Sequence, residues 1–266
     1  MGRIRTNATA FWQLARHRRA AAGAAILGYH DVVDGGRPDD FYTVTAAALR
    51  AHIRTLRRLG MEIVDLGEIV DRLEQGVSVD GLAALTFDDA LVGVVRSALP
   101  VLQSEEAPAT IFVVPGALGV DPPWWPGAQR TMTVDELRTA ARQGIRLEAH
   151  TLLHRSLPSL PGEDLLTDLA ANRSRHAELF GDPPSLLAYP SGHHDGRVRA
   201  AARDAGFRAG FTFLNGRVES ENDRFKLPRL AVWRGMGAVT LARHLARQPG
   251  TWPDHQWDVV LEGETR

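Results

Sequence analysis

Leu82-Ala83-Ala84-Leu85-Thr86-Phe87-Asp88-Asp89 is a short, largely apolar run that ends on two adjacent carboxylates. It predicts a strand, and the segments on either side set its company. Upstream, Ala24 to His30 and Glu62 to Leu66 read as further strands. Between them Thr45 to Leu59 carries apolar residues at 49, 53, 56 and 59, a helical spacing with Thr45 as N-cap. Glu68 to Glu74 predicts a second helix. Downstream, Val94 to Gln103 predicts a helix and Thr110-Ile111-Phe112-Val113-Val114 a buried strand closed by Pro115-Gly116. Thr133, with Glu136 in the capping-box position, opens a helix that runs to Gln143 and ends at Gly144. Strands at 146–150, 185–189, 209–213 and 226–232 then alternate with helices at 162–180, 196–205 and 236–247. Strands that each lead into a helix describe a parallel α/β protein. A doubly wound sheet and a barrel both fit. The glycine-rich phosphate fingerprint is missing after the first strand, which argues against a dinucleotide-binding fold.

The chain has 266 residues, of which 44% are hydrophobic and 24% charged, an ordinary globular composition. A formal net charge of −1 excludes the global basic field that gathers nucleic acid. Cysteine is absent, so a disulfide scaffold, a thiol nucleophile and thiolate metal ligands are excluded. Lys226 is the single lysine and the one candidate for Schiff-base chemistry. Nothing is repeated or of low complexity. The organisation reads as a basic N-terminal segment (1–23), one barrel-sized domain (24–248) and a C-terminal tail (249–266). The first segment carries Arg3, Arg5, Arg16, Arg18 and Arg19 without an acid, and its basic cluster follows Phe11-Trp12-Gln13-Leu14. That is the wrong order for a secretory signal, and no stretch approaches the ~18 apolar residues of a spanning helix. The expectation is a cytoplasmic protein. Residues 9–19 form either a solvated terminal helix or a basic helix lying on the inner membrane face. Oligomeric state is not legible.

In a barrel, catalytic groups gather where strands end and loops begin. Those positions hold Tyr29-His30-Asp31, Asp88-Asp89, His150 with His154 four residues on, and Tyr189-Pro190-Ser191-Gly192. Asp-Asp after a strand is by itself a turn signal, and a His pair at spacing four is by itself two surface histidines. Together they form a sulfur-free N/O set suited to zinc or a similar divalent ion. One carboxylate would be taken by the cation and the other left as a base.

These motifs resemble the NodB-homology polysaccharide deacetylases, the fourth carbohydrate esterase family. Leu85-Thr86-Phe87-Asp88-Asp89 looks like the family's first motif, His150-Thr151-Leu152-Leu153-His154 its second and Tyr189-Pro190-Ser191-Gly192 its third, in order, over roughly residues 24–235. The resemblance implies a distorted (β/α)7-type barrel and a metal-dependent hydrolase that removes N-acetyl groups from an N-acetylhexosamine-containing saccharide, glycolipid or glycosylated metabolite. It implies Asp89, His150 and His154 as metal ligands, for Zn2+ first and Co2+, Ni2+ or Mn2+ after it. Asp88 becomes the general base, and the backbone N–H of Tyr189 donates to the oxyanion. Tyr189, Pro190 and Gly192 would contact substrate.

The sequence departs from the pattern in three places. Ala90 stands where the first motif usually has Gly. Ala188 stands where the third often has Arg, and Arg229 either supplies that guanidinium from the last strand or is a surface residue of an edge strand. No Leu-His-Asp tripeptide follows near the C-terminus. Gly28-Tyr29-His30-Asp31 is similar instead to the Tyr-His motif of the branch acting on poly-N-acetylglucosamine, which implies His30 as the acid. Trp124 and Trp125 either line a sugar groove or pin their loop, and Glu148 is either outer support to the metal or a satisfied interior charge. His193 and His194 read as a solvated loop with Asp195 at the next helix start. His52, His176, His244 and His255 read as surface or helix residues, and Trp233, Trp252 and Trp257 as packing. The alternatives are an O-acetyl esterase or other amide hydrolase on the same site, or a catalytically silent sugar-binding protein.

Overall fold

The computed structural model describes residues 23–36 and 40–246. The basic stretch at 9–19 and all of the tail at 249–266, with Trp252, His255 and Trp257, lie outside them. Among the described residues no helix is long and apolar enough to cross a membrane.

The main sheet has eight strands, all parallel. They are β1 (Ala25–Tyr29), β4 (Glu62–Ile63), β5 (Leu82–Phe87), β6 (Thr110–Val113), β7 (Arg146–Ala149), β8 (Leu186–Ala188), β9 (Ala209–Phe211) and β10 (Leu230–Ala231). Their order is β10-β1-β5-β6-β7-β8-β9, with β4 beside the start of β5. Phe211 of β9 also bridges Leu227, just ahead of β10. The segment 227–231 therefore joins the two edges of the sheet and closes it into a distorted barrel. β1 and β5, neighbours in the sheet, are buried at every position, as strands covered on both faces must be.

Among the described residues seven α-helices pack outside: α1 (Ala46–Arg58), α2 (Leu66–Glu74), α3 (Leu99–Ser104), α4 (Val134–Arg142), α5 (Gly162–Phe180), α6 (Gly196–Asp204) and α7 (Ala238–Leu245). Local chemistry sets their starts. The Thr45 side chain caps α1 and Asp65 caps α2. Thr133 and Glu136 form the expected capping box on α4, and Asp195 caps α6 through the Val198 N–H.

The structure corrects several expectations. The helix placed at 94–103 begins as a π-helical turn (Val94–Ala98) before α3. The strands placed at 209–213 and 226–232 are shorter than expected, spanning Ala209–Phe211 and Leu230–Ala231. A small parallel pair, β2 (Asp31–Val33) with β3 (Thr43–Thr45), was not anticipated. His52 and His176 are helix residues, as one of the two readings had them, and both are buried. Tyr29 Oη lies 3.1 Å from His52 Nδ1, and His52 Nε2 lies 2.6 Å from the Met236 carbonyl.

Candidate active site

The C-terminal ends of β1, β5, β7, β8 and β9 meet at one mouth. Six non-glycine residues among those described have positive φ, and five lie here: Asp89 (66°), Ala90 (52°), Thr151 (63°), His154 (55°) and Ser191 (55°). Left-handed backbone costs such residues of order 1–2 kcal/mol each, so its concentration at these loops marks a site over-determined by its surroundings.

The turn at Asp89 separates two carboxylates that an extended strand would point apart. Asp88 is fully buried and faces inward. Its Oδ1 accepts from Arg229 Nη1 at 2.7 Å and its Oδ2 from Nη2 at 2.8 Å, a bidentate pair with neither partner exposed. Burial alone would raise the Asp88 pKa. The Arg229 charge and hydrogen bonds, with His150 and His30, more than offset it and hold the carboxyl well below the usual range. Arg229 is itself fixed by Thr86 Oγ1 and the Thr212 carbonyl, with the Phe213 ring 4.2 Å and the Phe112 ring 5.2 Å from its guanidinium carbon.

Asp89 faces the histidines. His154 Nε2 is 3.2 Å and His150 Nε2 3.6 Å from Asp89 Oδ1, and the three ligand atoms lie within 4.8 Å of one another. His150 Nδ1 is 2.8 Å from the Ala188 carbonyl, which fixes the N–H there and leaves the Nε2 lone pair facing Asp89. Burial lowers both histidine pKa values, that of His154 to about 2, so both imidazoles are neutral donors. Burial, then the neighbouring Asp88 charge, pushes Asp89 up to about 8. Its Oδ1 is buried without a hydrogen-bond donor. Two neutral nitrogens and an orphaned carboxylate oxygen fit a divalent cation, and the set leaves further coordination positions open.

Two contacts hold the loop between the histidines. The buried Asp168 of α5 accepts from the Leu152 N–H at 3.1 Å and from Arg155 Nη2 at 3.2 Å. The Gly116 N–H donates to the Leu152 carbonyl at 3.0 Å.

A family profile described as polysaccharide deacetylase matches residues 76–210, half of the chain. The chain belongs to the polysaccharide deacetylase family. It is 24% identical over 221 residues to YxkH of Bacillus subtilis (strain 168), named for polysaccharide deacetylase, across 83% of this chain and 75% of that protein. It is 24% identical over 228 residues to the poly-beta-1,6-N-acetyl-D-glucosamine N-deacetylase of Staphylococcus epidermidis, across 79% of this chain and 78% of that one. Among solved structures, the Streptococcus pyogenes deacetylase PplD in complex with acetate superposes with a TM-score of 0.73 at 18% identity, covering 85% of this chain and all of that one. IcaB from Ammonifex degensii superposes at 0.70 with 24% identity, covering 85% and 98%. These likenesses carry the barrel of the deacetylase family.

Against the family pattern, each departure has a place in the structure. Ala90 occupies left-handed backbone, the conformation for which glycine is the easy residue. Arg229 is no surface residue: it is fully buried on the closing segment and reaches Asp88. Tyr189 requires a correction. Its N–H donates to the Phe211 carbonyl at 3.0 Å in the β8–β9 ladder, and its hydroxyl donates to the Phe225 carbonyl. Neither group is directed to an oxyanion. Gly192 has φ +72°, and a Cβ there would lie 2.6 Å from the Phe213 nitrogen, so glycine at 192 lets the Phe213 backbone pass close. Pro190 is buried in the same turn.

His30 continues β1 beside Asp88, whose N–H donates to the Tyr29 carbonyl at 2.9 Å. Its ring stacks on Phe213 at 5.6 Å and meets Tyr42 at 5.0 Å and the edge of Trp125 at 5.8 Å. His30 Nδ1 is buried without a partner. Asp31 is turned away and accepts from Gln129 Nε2. Trp125 donates from Nε1 to Asp40 Oδ2 at 3.2 Å, and Trp124 stacks on His154 with centroids 4.5 Å apart. Both tryptophans thus stand at the mouth as well as pinning their loop. Glu148 points elsewhere, accepting from the Ser185 and Leu186 N–H groups at 2.8 Å and so fastening the start of β8, as a satisfied interior charge. His194 stacks on Tyr189, away from the ligand set.

Phe213 and Tyr42 were missed by a search for polar groups at strand ends. Phe213 separates His30 from Arg229, and a Cβ on Gly28 would lie 2.5 Å from its ring. That close approach is the feature that makes glycine necessary at 28, and no local pattern announces it.

Proposed function

We propose that this polysaccharide deacetylase family member hydrolyses the N-acetyl group of an N-acetylhexosamine unit. The observation that carries the reading is the pairing of a buried His-His-Asp ligand set with an arginine-held carboxylate at one barrel mouth. Asp89, His150 and His154 would hold a divalent ion, Zn2+ first, which when bound supplies Lewis acidity and a lowered pKa for water. Asp88 is the group that takes the proton from the attacking water. Arg229 keeps it ionised, and lowers its basicity in doing so. His30, at the end of the strand beside that of Asp88, delivers a proton to the leaving amine. The rings of Trp125, Tyr42 and Phe213 give the mouth apolar walls of the kind on which a pyranose packs.

Mass spectrometry of acetylated saccharides and glycolipids after incubation should show loss of acetyl groups from N-acetylhexosamine units. His150→Ala and His154→Ala should lose both metal and turnover while the barrel stays folded. If either variant keeps a full equivalent of metal and wild-type turnover, the site is misplaced.

One observation favours a second reading, hydrolysis of an O-acetyl ester. Burial pushes the His30 pKa down to about 4, with Asp88 acting against this and Arg229 and His150 adding to it. The free protein therefore holds a neutral His30 at neutral pH, and an alkoxide leaves with less help from an acid than an amide nitrogen does. Matched N-acetyl and O-acetyl substrates, compared by kcat/KM, decide between the two.

A further inference from the structure

Trp124 differs from its neighbour Trp125 in what it touches. Its indole lies nearly parallel to the His154 imidazole, with an interplanar angle of 16° and centroids 4.5 Å apart. Its Nε1 is buried and has no acceptor at full bonding distance among the described residues. The imidazole it covers is the one whose Nε2 lies 3.2 Å from Asp89 Oδ1, so the indole lies beside the Asp89 carboxylate. Asp89 Oδ1, turned to both imidazoles, is likewise buried without a donor. A buried donor without a partner is costly, so an orphaned N–H near an orphaned carboxylate oxygen is a pair poised to be used.

We propose that Trp124 is a positioning residue of the metal centre, its ring lying along His154 and its N–H serving as the outer donor that orients the Asp89 carboxylate. This rests on the metal-site reading above and deepens it. The other ligands have outer partners already: His150 is held by the Ala188 carbonyl, and the loop bearing His154 by Asp168. Asp89 sits on left-handed backbone next to a second carboxylate, and Trp124 is the side chain placed to steady it. The two tryptophans then divide the work of their loop, Trp124 at the metal ligands and Trp125 over His30.

Trp124→Phe keeps an aromatic ring against His154 and removes the N–H. Outer-shell donors typically contribute 10–100-fold to metal affinity. The expected result is Zn2+ and Co2+ binding weakened about 10–100-fold in chelator competition, a changed visible spectrum of the Co2+ protein, and an unchanged thermal midpoint of the metal-free protein. Trp125→Phe, the control, should bind both ions as the wild type does. Wild-type affinity and spectrum in Trp124→Phe would overturn the proposal and leave the metal site standing. So would a Trp124→Phe metal-free protein that melts well below the wild type, since the loss would then come from loop packing. A wild-type protein that binds neither ion would overturn the metal-site reading and this inference with it.

Discussion

Asp88 and Asp89 are adjacent in the chain and opposite in surroundings. Arg229 makes one a fixed anion, while burial beside that anion makes the other a poor one unless a cation arrives. Titratable groups pushed apart in this way are how a site divides roles between like residues. Asp88→Asn should keep metal and lose about 10²–10⁴ in turnover, the usual range for a general base. Asp89→Asn should lose the metal. If metal content shows the reverse, the two roles are exchanged. His30 tests the other end of the reaction. The leaving amine of an N-acetyl sugar needs a proton far more than an activated phenol does. His30→Ala should therefore damage amide hydrolysis much more than hydrolysis of an aryl acetate, with metal content unchanged. Equal losses would point to a positioning role, and no loss on either would move the acid elsewhere.

At the scale of the element, the loop 114–133 depends on anchors along its second half. Trp125 is held by Asp40 and Gln129 by Asp31, while Arg130 makes two short hydrogen bonds to Glu136 at the start of α4. Glu136 also closes the capping box with the Thr133 N–H. Hydrogen bonding from Arg130 is the largest cause that brings the Glu136 pKa down to about 2. The folded value lies below the ordinary glutamate value near 4.5, so the folded state gains from Glu136 ionisation above that value. The gain is lost as pH falls through about 2. A carbon-detected NMR titration should place the Glu136 midpoint well below those of exposed glutamates, and Arg130→Ala should return it toward them. A wild-type midpoint at the ordinary value would mean that the anchor does not persist in solution.

For the whole molecule, the decisive contact is the closure of the barrel. Segment 227–231 joins β9 to β1 and carries Arg229 across the interior to Asp88, 141 positions away in the chain. Removing one partner of a buried pair strands the other, at about 3–5 kcal/mol. Arg229→Met should therefore lower the unfolding free energy by about that much. Adding Asp88→Asn should recover most of the loss, because no buried charge then remains. Urea unfolding of the two single variants and the double one measures this, and strictly additive losses would show that the pair is not coupled.

The alternation of strands and helices, the caps at Thr45, Thr133 and Asp195, and the placing of Asp88, Asp89, His150 and His154 at strand ends were all legible in the sequence. They rest on local spacing and on residues a few positions apart, which periodicity records directly. The sequence left Arg229 undecided between Asp88 and solvent. It left Trp124 undecided between sugar and loop, and Glu148 between the metal and the strand. It misassigned the Tyr189 N–H, because its partner is the Phe211 carbonyl on the adjacent strand. Phe213 passed unnoticed, since aromatic residues at strand ends are ordinary. Each of these depends on which distant segment lies opposite, and that is set by how the sheet curls and closes. A chain position states what a side chain can do, whereas only the packed barrel supplies the charge, ring or carbonyl it does it with.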